Sequence, residues 1–447
     1  MLSISFKNID KILFRATPIY SLVFFRISFG LLMIYQTYHT IFYTGIIKRN
    51  ILISKFHFKF YGFEWVNILP LDGLYWCFYA LLFLATLITL GAFYRIAIIL
   101  YTIIFTYVFL IDQAYYLNHF YLEILLATLL CFMPAHRYFS LDSYWNPKIH
   151  TTVISFWPVF LLRAQKEIFL FYAGFVKINY EWLHGMPLRI WLSGGSEIPL
   201  IDYLFKLEWM PYIASYGTII LHLVGAPLLL WKPTRIYIFC IYCVFHLVNS
   251  STFEIGVFPF LTIAATTIFF APDWPAKILK LTQEPKSHFH PPSLQIKKIT
   301  IFLLTLWIVI QVLMPLRYLL YPGNVLWTRE GHKFSWRMKI ADAKGSSVFY
   351  VTNPKTKESW KFALDHEPKS QSHCIPEIIL ETAHIIQKEW LKEKGQNVEV
   401  RVDAKCSLNG RKPQVLIDPN VDLTKIEDSF KHKEWIMPFD QTMKYEQ

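Results

Sequence analysis

The feature that most constrains this sequence is a series of long apolar stretches separated by short polar breaks. A helix needs roughly 20 mostly apolar residues to cross the hydrocarbon core of a bilayer. Glycine, proline and polar residues punctuate the series, as at Gly91, Pro134 and Pro233. We therefore predict a polytopic, all-α integral membrane protein with about nine transmembrane helices, near residues 20–42, 74–92, 93–111, 119–134, 155–178, 212–231, 235–250, 254–271 and 299–320.

Composition supports the same class of protein. Hydrophobic residues make up 54% of the 447 residues and charged residues only 17%. Soluble domains are about 25% charged, so this chain lacks the residues needed to cover a fully water-exposed surface. A purely soluble enzyme is therefore excluded.

The net charge of +12 has a topological explanation. Most of the basic excess lies before Pro322, in short loops between the predicted spans, where cytoplasmic loops are enriched in lysine and arginine. The side with more basic residues predicts a cytoplasmic N-terminus and a C-terminus on the opposite side. Nucleic acid is accordingly not a predicted partner.

Two domains are predicted, a transmembrane domain at residues 1–322 and an extracytoplasmic domain at residues 323–447. The second has a polar α+β pattern, with strands expected near 347–352 and 398–402 and a helix over 376–394. We expect it to pack on the outer face of the membrane. Its two cysteines, Cys374 and Cys406, could pair if this side is an oxidising compartment.

Polar residues inside the predicted spans are the functional candidates, because ionisable groups at membrane depth are costly unless they are paired, hydrated or useful. The first set is Asn118 to Glu123. His119 and Glu123 are four residues apart and share a helix face, so they could pair or bind a metal. A zinc site needs further ligands at a recognisable spacing, and none is present. We therefore expect an internal histidine–carboxylate pair and no metal.

A second set of polar residues lies within residues 155–178. Arg163, Lys166 and Glu167 interrupt an otherwise apolar segment that ends at Lys177. Three charges in one span indicate a face that contacts protein or water rather than lipid. A lysine among apolar neighbours can lose its proton and act as a general base. The alternative is a lysine whose amine reaches the membrane surface.

The third set is centred on His246, which shares a helix face with Ser250 and precedes Asn249, a possible donor to an anionic oxygen. The alternative is a histidine satisfied inside a helix bundle. This alternative is stronger for His222, which lacks a polar neighbour at helical spacing. The predicted topology places His119, Lys177 and His246 at one depth near the outer leaflet, so we predict a single polar pocket that contains them.

The motifs around these residues resemble those of the vitamin K-dependent gamma-glutamyl carboxylase family and its bacterial relatives, the horizontally transferred transmembrane (HTTM) domain proteins. The resemblance covers roughly residues 115–340. Its segments are Arg163-Ala164-Gln165, Phe171-Tyr172-Ala173-Gly174-Phe175-Val176-Lys177, Trp182-Leu183-His184-Gly185, Phe245-His246-Leu247-Val248-Asn249-Ser250, Ile255-Gly256, Ala271-Pro272-Asp273-Trp274-Pro275 and Gly331-His332-Lys333-Phe334-Ser335-Trp336.

The resemblance implies an enzyme in which Lys177 deprotonates vitamin K hydroquinone, either phylloquinol or menaquinol. Dioxygen then adds, the resulting strong base removes a γ-hydrogen from a glutamate side chain, carbon dioxide adds to the carbanion, and the quinone leaves as its epoxide. His119 is implicated in the same site, and His246 could stabilise the developing negative charge. The residues expected to bind substrate or cofactor are Arg163, Gln165, Tyr172, Asn118, Asn249 and Trp182.

The implied partners are a glutamate-containing protein or peptide, membrane lipid and the quinol. The implied location is a bacterial inner membrane, with the active site and C-terminus facing the periplasm. Three alternatives remain open. The chain could be a quinol epoxidase that does not carboxylate, a non-catalytic protein that binds or transports a lipid or small anion, or a membrane metalloenzyme.

Overall fold

The helices follow the apolar pattern of the sequence. The computed structural model describes residues 6–45, 47–52, 57–70, 72–253, 255–281, 289–362 and 372–445. These residues are mostly helical, with a small sheet region near the C-terminus. The helices before that sheet are α1 Phe6–Leu13, α2 Tyr20–His39, α3 Gly73–Leu90, α4 Tyr94–Leu110, α5 Asn118–Phe132, α6 Leu141–Trp145, α7 Trp157–Phe175, α8 Tyr180–Leu183, α9 Leu188–Leu192, α10 Pro199–Phe205, α11 Met210–Ile220, α12 Ala226–Leu228, α13 Arg235–Thr252, α14 Phe258–Thr266, α15 Trp274–Ile278, α16 Leu294–Leu313 and α17 Val325–Thr328.

Shorter elements extend or connect these helices. The π-helical segments are Thr40–Thr44, Ile47–Leu52 and Leu221–Gly225, and the 3₁₀ segments are Gln113–Tyr115, Pro147–Ile149, Thr267–Phe269 and Met314–Leu320. A short antiparallel pair joins β1, Ala16–Pro18, to β2, Val153–Ser155.

Every predicted apolar segment is largely helical, but the number of nine spans is not confirmed. Among the described residues, three helical stretches are long and apolar enough to cross a membrane: Tyr20–Thr44, Gly73–Leu90 and Leu294–Leu320. Three further apolar helices, Tyr94–Leu110, Asn118–Phe132 and Phe258–Phe269, are shorter. Other predicted spans are charged or interrupted: α7 contains Arg163, Lys166 and Glu167, and a π-helical segment separates α11 from α12.

A buried arginine holds the first helices together. Arg26 of α2 is fully buried, and its guanidinium donates to the carbonyl oxygens of Ala135 at 2.9 Å and Phe139 at 2.6 Å. A buried charge is costly unless it is hydrogen-bonded, so these carbonyls are what makes the position tolerable. Gly91, which ends α3 at a φ of 65°, permits this packing because a Cβ there would lie 2.7 Å from Nη1 of Arg26.

The C-terminal region is a four-stranded antiparallel sheet with one long helix against it. The strands are β3 Ala343–Thr352, β4 Ser359–Phe362, β5 Glu399–Leu408 and β6 Gln414–Val415, in the order β4-β3-β5-β6. The helix, α18, spans Pro376–Lys394. Alternate residues of β5 are buried, as expected for a strand with one covered face. The predicted strands and helix of this region are thus confirmed.

The C-terminal region has its own core and one covalent link. A disulfide joins Cys374, just before α18, to Cys406 of β5. The apolar core of the region contains residues of both α18 and the sheet, and it also contains Val176, which follows α7. The chain immediately before Lys177 is therefore packed into the C-terminal region.

Candidate functional site

Lys177 lies in the turn that follows α7, and its amine is enclosed by protein. Only 6% of the residue is exposed. Nζ donates to the carbonyl oxygen of Ala173 at 2.8 Å and lies 3.4 Å from that of Met338, and it sits 5.0 Å from the centre of the Trp182 ring. In the described part of the chain, no carboxylate lies within ion-pair distance of Lys177. Backbone carbonyls and an aromatic ring therefore surround the amine.

The turn after Lys177 orients Trp182. The side chain of Asn179 caps α8: its Oδ1 accepts the backbone N–H of Trp182 at 3.1 Å, and its Nδ2 donates to the carbonyl of Val176. The indole N–H of Trp182 donates to the carbonyl of Ser215 in α11 at 3.2 Å. These bonds keep the indole ring next to the amine of Lys177.

Asn118 reaches the same stretch of chain that Lys177 contacts. It is the first residue of α5, and its Nδ2 lies 3.4 Å from the carbonyl oxygen of Arg337, while its Oδ1 accepts from the hydroxyl of Tyr116 at 2.9 Å. Arg337 and Met338 are consecutive, so neighbouring carbonyls contact Asn118 and Lys177. The backbone of this segment thus connects two of the sets identified in the sequence.

The predicted pair between His119 and Glu123 does not form. Oε2 of Glu123 accepts from the side-chain amide of Gln36 in α2 at 2.8 Å, whereas the ring of His119 contacts Phe120 and Phe258. Four-residue spacing puts two side chains on one helix face, but here α2 and α14 lie against different parts of that face. The prediction was wrong because each side chain found its neighbour on another helix.

His246 is brought close to His119 through a shared aromatic neighbour. The ring of Phe258, the first residue of α14, lies 5.8 Å from that of His119 and 6.2 Å from that of His246, between centres. His246 is 2% exposed, and within the part of the chain that the structure describes neither ring nitrogen has a hydrogen-bond partner. Asn249 follows one turn later on the same face of α13. Buried, unpaired ring nitrogens are available to a ligand.

Two residues of this region were not selected from the sequence. His222 lies in the π-helical segment Leu221–Gly225, packs against Gly174, and its Nδ1 is 2.7 Å from the carbonyl of Thr218. It is within electrostatic range of both Lys177 and Lys166. The interpretation that His222 lacks a polar neighbour at helical spacing was wrong, because Thr218 precedes it by four residues.

Lys166 is the second such residue. It is 4% exposed, and its amine has no hydrogen-bond partner among the described residues. It lies within α7, whereas Lys177 lies in the turn that follows this helix. The two buried lysines therefore belong to one helix and the turn at its end.

Three predicted binding residues hold α7 in place instead of meeting Lys177. Arg163 donates to the carbonyls of Ile268 and Phe270, both at 2.9 Å. The other two contact α16: Oε1 of Gln165 accepts the indole N–H of Trp307 at 2.8 Å, and the hydroxyl of Tyr172 donates to a backbone carbonyl at 2.7 Å. Arg163 lies about 18 Å along α7 from Phe175, the last residue of the helix before the turn that carries Lys177.

Two cavities flank the candidate site. The larger, of about 1320 Å³, is lined by Val176 and Ile178 on either side of Lys177, by Tyr318, and by residues of the C-terminal region. The smaller, of about 460 Å³, is lined in part by apolar residues such as Phe105 and Phe120. Its lining also includes His332 and a group of cationic residues, called the cationic wall: Arg329, Lys333, Arg337 and Lys339.

Arg337 lines both cavities, while the side chain of Lys177 turns away from the larger one toward Ala173 and Met338. A buried carboxylate balances part of the positive charge at the smaller cavity. Glu377 lies 3.0 Å from the amine of Lys433 and 3.8 Å from that of Lys333. Burial alone would raise the pKa of Glu377, but the two lysines outweigh it and hold that pKa below its usual value. Glu377 is therefore ionised, and the charges of Arg329 and Arg337 are left facing the cavity.

Among the described residues, no group of three or more His, Cys, Asp or Glu side chains is arranged to hold a metal ion.

Two family models match the chain, and together they cover most of its length. The HTTM domain matches residues 14–274, which is more than half of the chain, and the lumenal domain of vitamin K-dependent gamma-carboxylase matches residues 296–442. No solved structure matches the chain. The HTTM domain is a transmembrane domain, and together with the three long apolar helices it indicates a membrane protein. The chain belongs to the vitamin K-dependent gamma-glutamyl carboxylase family.

Proposed function

We propose that this protein is a vitamin K-dependent gamma-glutamyl carboxylase that also forms vitamin K epoxide, with Lys177 as the base that starts the reaction. The observation that carries the proposal is the amine of Lys177, which is buried, has no carboxylate partner among the described residues, and lies where the two matched domains meet. A buried amine without an anionic neighbour gives up its proton more readily than an exposed one.

In the proposed reaction, Lys177 accepts a proton from a hydroxyl of vitamin K hydroquinone. Dioxygen adds to the resulting anion, and the product is a strong oxyanion base. This base removes a γ-hydrogen from a glutamate side chain, carbon dioxide adds to the carbanion, and the quinone leaves as its epoxide. The second oxygen atom of dioxygen leaves as water. His119 and His246 are proposed to donate hydrogen bonds to the developing negative charge, a role for which the unpaired ring nitrogens of His246 are suited.

The larger cavity supports access for the quinol from the bilayer. Its lining includes the chain neighbours of Lys177. The side chains of Phe175, Ile178 and Leu319, which also line it, are apolar and exposed. Such side chains are compatible with lipid, and they would accept the apolar tail of either phylloquinol or menaquinol. Trp182 lies beside the amine of Lys177, and Asn179 lines the larger cavity. Tyr172 and Trp182 remain proposed cofactor-binding residues.

The smaller cavity supports access for the glutamate substrate. Its cationic wall would attract a carboxylate side chain, and Arg337 connects it to the cavity beside Lys177. Asn118 and Asn249 are proposed to bind substrate oxygen atoms. Arg163 and Gln165 remain proposed contributors, in the first place by fixing α7.

We further propose a bacterial inner membrane location, with the C-terminal region in the periplasm. The disulfide between Cys374 and Cys406 supports this orientation, because disulfides persist in oxidising compartments. The distribution of basic loops in the sequence favours the same orientation.

A second candidate is a quinol epoxidase that does not carboxylate. It is favoured by the position of Lys177 in the chain between Val176 and Ile178, which line the larger cavity, because this position does not require the cationic wall of the smaller cavity. Quinol binding without any oxygen-dependent product would instead favour a non-catalytic lipid- or anion-binding protein.

The test uses the purified full-length protein with vitamin K hydroquinone, oxygen, labelled bicarbonate and a glutamate-containing peptide. Mass spectrometry measures both the epoxide and the carboxylated peptide. We expect both products from the natural protein and neither from Lys177→Ala. The control is Lys206→Ala, which removes an exposed lysine that pairs with Asp202. Unchanged epoxide formation by Lys177→Ala would sink the assignment of the base.

A further inference from the structure

A buried ion pair connects α8, the short helix after Lys177, to the C-terminal region. Oε1 of Glu181 accepts from Nη2 of Arg411 at 2.7 Å and from its Nε at 3.1 Å, and the two side chains are 8% and 5% exposed. Oε2 of Glu181 accepts from the hydroxyl of Tyr445 at 2.7 Å. Both oxygens of a buried carboxylate are therefore bound by the C-terminal region.

Arg411 is itself fixed by the C-terminal region. Its Nη1 donates to the carbonyl oxygens of Gln441 and Met443, and its guanidinium lies 4.5 Å from the centre of the Tyr445 ring. Two nitrogens on one carboxylate oxygen and further bonds to backbone leave little freedom for the side chain. Glu181 is accordingly held against an immobile partner 230 residues away in the sequence.

The ion pair of Glu181 with Arg411 bears on Lys177, because Glu181 is next in the chain to a residue that contacts the Lys177 amine. Glu181 belongs to α8, and its neighbour Trp182 lies 5.0 Å from the amine of Lys177. On the other side of Lys177, Val176 is packed into the core of the C-terminal region. The turn that carries Lys177 is thus attached to the C-terminal region at both of its ends.

We propose that Glu181, Arg411 and Tyr445 are positioning residues for Lys177. By holding α8, they keep Trp182 against the amine and water away from it. This inference rests on the proposed function for its catalytic meaning, but the geometry it describes can be tested without turnover. It assigns to the C-terminal region a role in the first, quinol-dependent step as well as in any binding of the protein substrate.

The first experiment measures the reactivity of Lys177 directly. Purified protein in detergent is treated briefly with a small amine-modifying reagent, and modification of each lysine is followed by mass spectrometry. We expect Lys177 to react several-fold faster in Arg411→Ala than in the natural protein, while the exposed Lys206 reacts equally in both. Tyr445→Phe, which loses a single hydrogen bond to Glu181, is expected to have a smaller effect in the same direction.

The matched control is Arg401→Ala. Arg401 also pairs with a glutamate of the C-terminal region, Glu399 at 2.9 Å, but its side chain is 33% exposed and the pair is remote in sequence from Lys177. We expect this variant to leave the reactivity of Lys177 unchanged. If Arg411→Ala does not fold, Tyr445→Phe and Arg411→Lys provide the comparison. Equal reactivity of Lys177 in the natural protein and in the folded variants would overturn the proposal.

The second experiment measures epoxide formation by the same variants. A positioning role predicts that kcat falls while KM for vitamin K hydroquinone stays within about twofold, because an interaction that acts on the base changes the reaction step rather than substrate binding. Arg411 also lines the larger cavity. A rise in KM with unchanged kcat would show that it acts on quinol binding there and would overturn its role at Lys177. If the natural protein forms no epoxide, the proposed function fails, and the reactivity of Lys177 still decides this inference.

Discussion

The amine of Lys177 lies 3.4 Å from the carbonyl oxygen of Met338, in the segment that leads into the C-terminal sheet. The preceding carbonyl, that of Arg337, is contacted by Asn118 at the start of α5. Two helices far apart in sequence therefore meet at consecutive peptide groups of a third segment. The candidate site is formed at this junction, so changes in any of the three segments are expected to affect it.

The ring of Phe258 is predicted to hold His119 and His246 in their relative positions. Phe258→Ala removes the surface that both imidazoles contact, so we expect a large loss of epoxide formation. The loss of stability should be smaller than the about 3–5 kcal/mol of a fully buried phenylalanine, because Phe258 is only partly buried. Initial rates and thermal unfolding of the purified variant measure the two effects.

The matched control for this prediction is Phe260→Ala on the same helix. Phe260 is 45% exposed, so its removal should leave the rate near that of the natural protein. Equal losses of activity in the two variants would show that general damage to α14, and not the contact with the histidines, lowers the rate.

Gly174 is predicted to be required for the close packing of His222 on α7. A Cβ at this position would lie 2.7 Å from the Cβ of His222 and 3.0 Å from the Cγ of Leu223. Gly174→Ala should therefore destabilise the protein by about 1–3 kcal/mol, the usual cost of overpacking a core. Thermal unfolding in detergent provides the measurement.

Gly217 supplies the comparison, because it lies within α11 and a Cβ there meets no heavy atom of the described residues within 4 Å. Gly217→Ala should be neutral or stabilise the protein by up to about 1 kcal/mol, since alanine restricts the unfolded chain and favours the helix. A tolerance of alanine at both positions would contradict the proposed contact of Gly174 with His222.

Glu381 is predicted to make the stability of the protein depend on pH. Its carboxylate, on α18, accepts the backbone N–H of Lys59 at 2.8 and 2.9 Å. Burial raises the pKa of Glu381 from 4.5 to about 7, although the bond from Lys59 and one from Gln113 oppose the shift. Between these two values the folded protein holds a proton that the unfolded chain has lost, so this contribution is complete below pH 4.5 and decreases as the pH rises toward 7.

The side chain of glutamine cannot ionise. In Glu381→Gln the unfolding temperature should therefore fall less between pH 4.5 and pH 7 than it does in the natural protein. The pH-dependent contribution of Glu381 is at most about 3 kcal/mol, from 1.36 kcal/mol for each unit of pKa. Glu393→Gln, an exposed change on the same helix, should leave the pH dependence as it is. A steep fall that persists in Glu381→Gln would assign the effect to other groups.

Local pattern was sufficient to predict much of the architecture. The apolar stretches became helices, the helix over residues 376–394 was located at both ends, and alternation within β5 identified a strand with one buried face. Lys177 was noticed as a charge that ends an apolar span, and the resemblance to the carboxylase family selected it as the candidate base. These features depend on residues close to one another along the chain, which is why they are readable without the fold.

The choice of partners was not predictable in this way. Shared spacing suggested that His119 and Glu123 would pair, but Gln36 binds Glu123 and Phe258 lies against His119. The importance of His222 depends on its packing against Gly174 of another helix. Spacing along one helix gives the face on which a side chain lies, whereas the neighbouring helix determines what that side chain contacts.

The sequence by itself determined that this is a largely helical membrane protein with a small α+β region, and it identified Lys177 as the candidate base. Only the tertiary structure decided that the surroundings of Lys177 come from both domains, through Met338, Val176 and the pair of Glu181 with Arg411. The physical reason is the distance along the chain over which each kind of interaction acts. Helical and strand periodicities are local, while a buried ion pair between residues 230 positions apart exists only once the chain has folded.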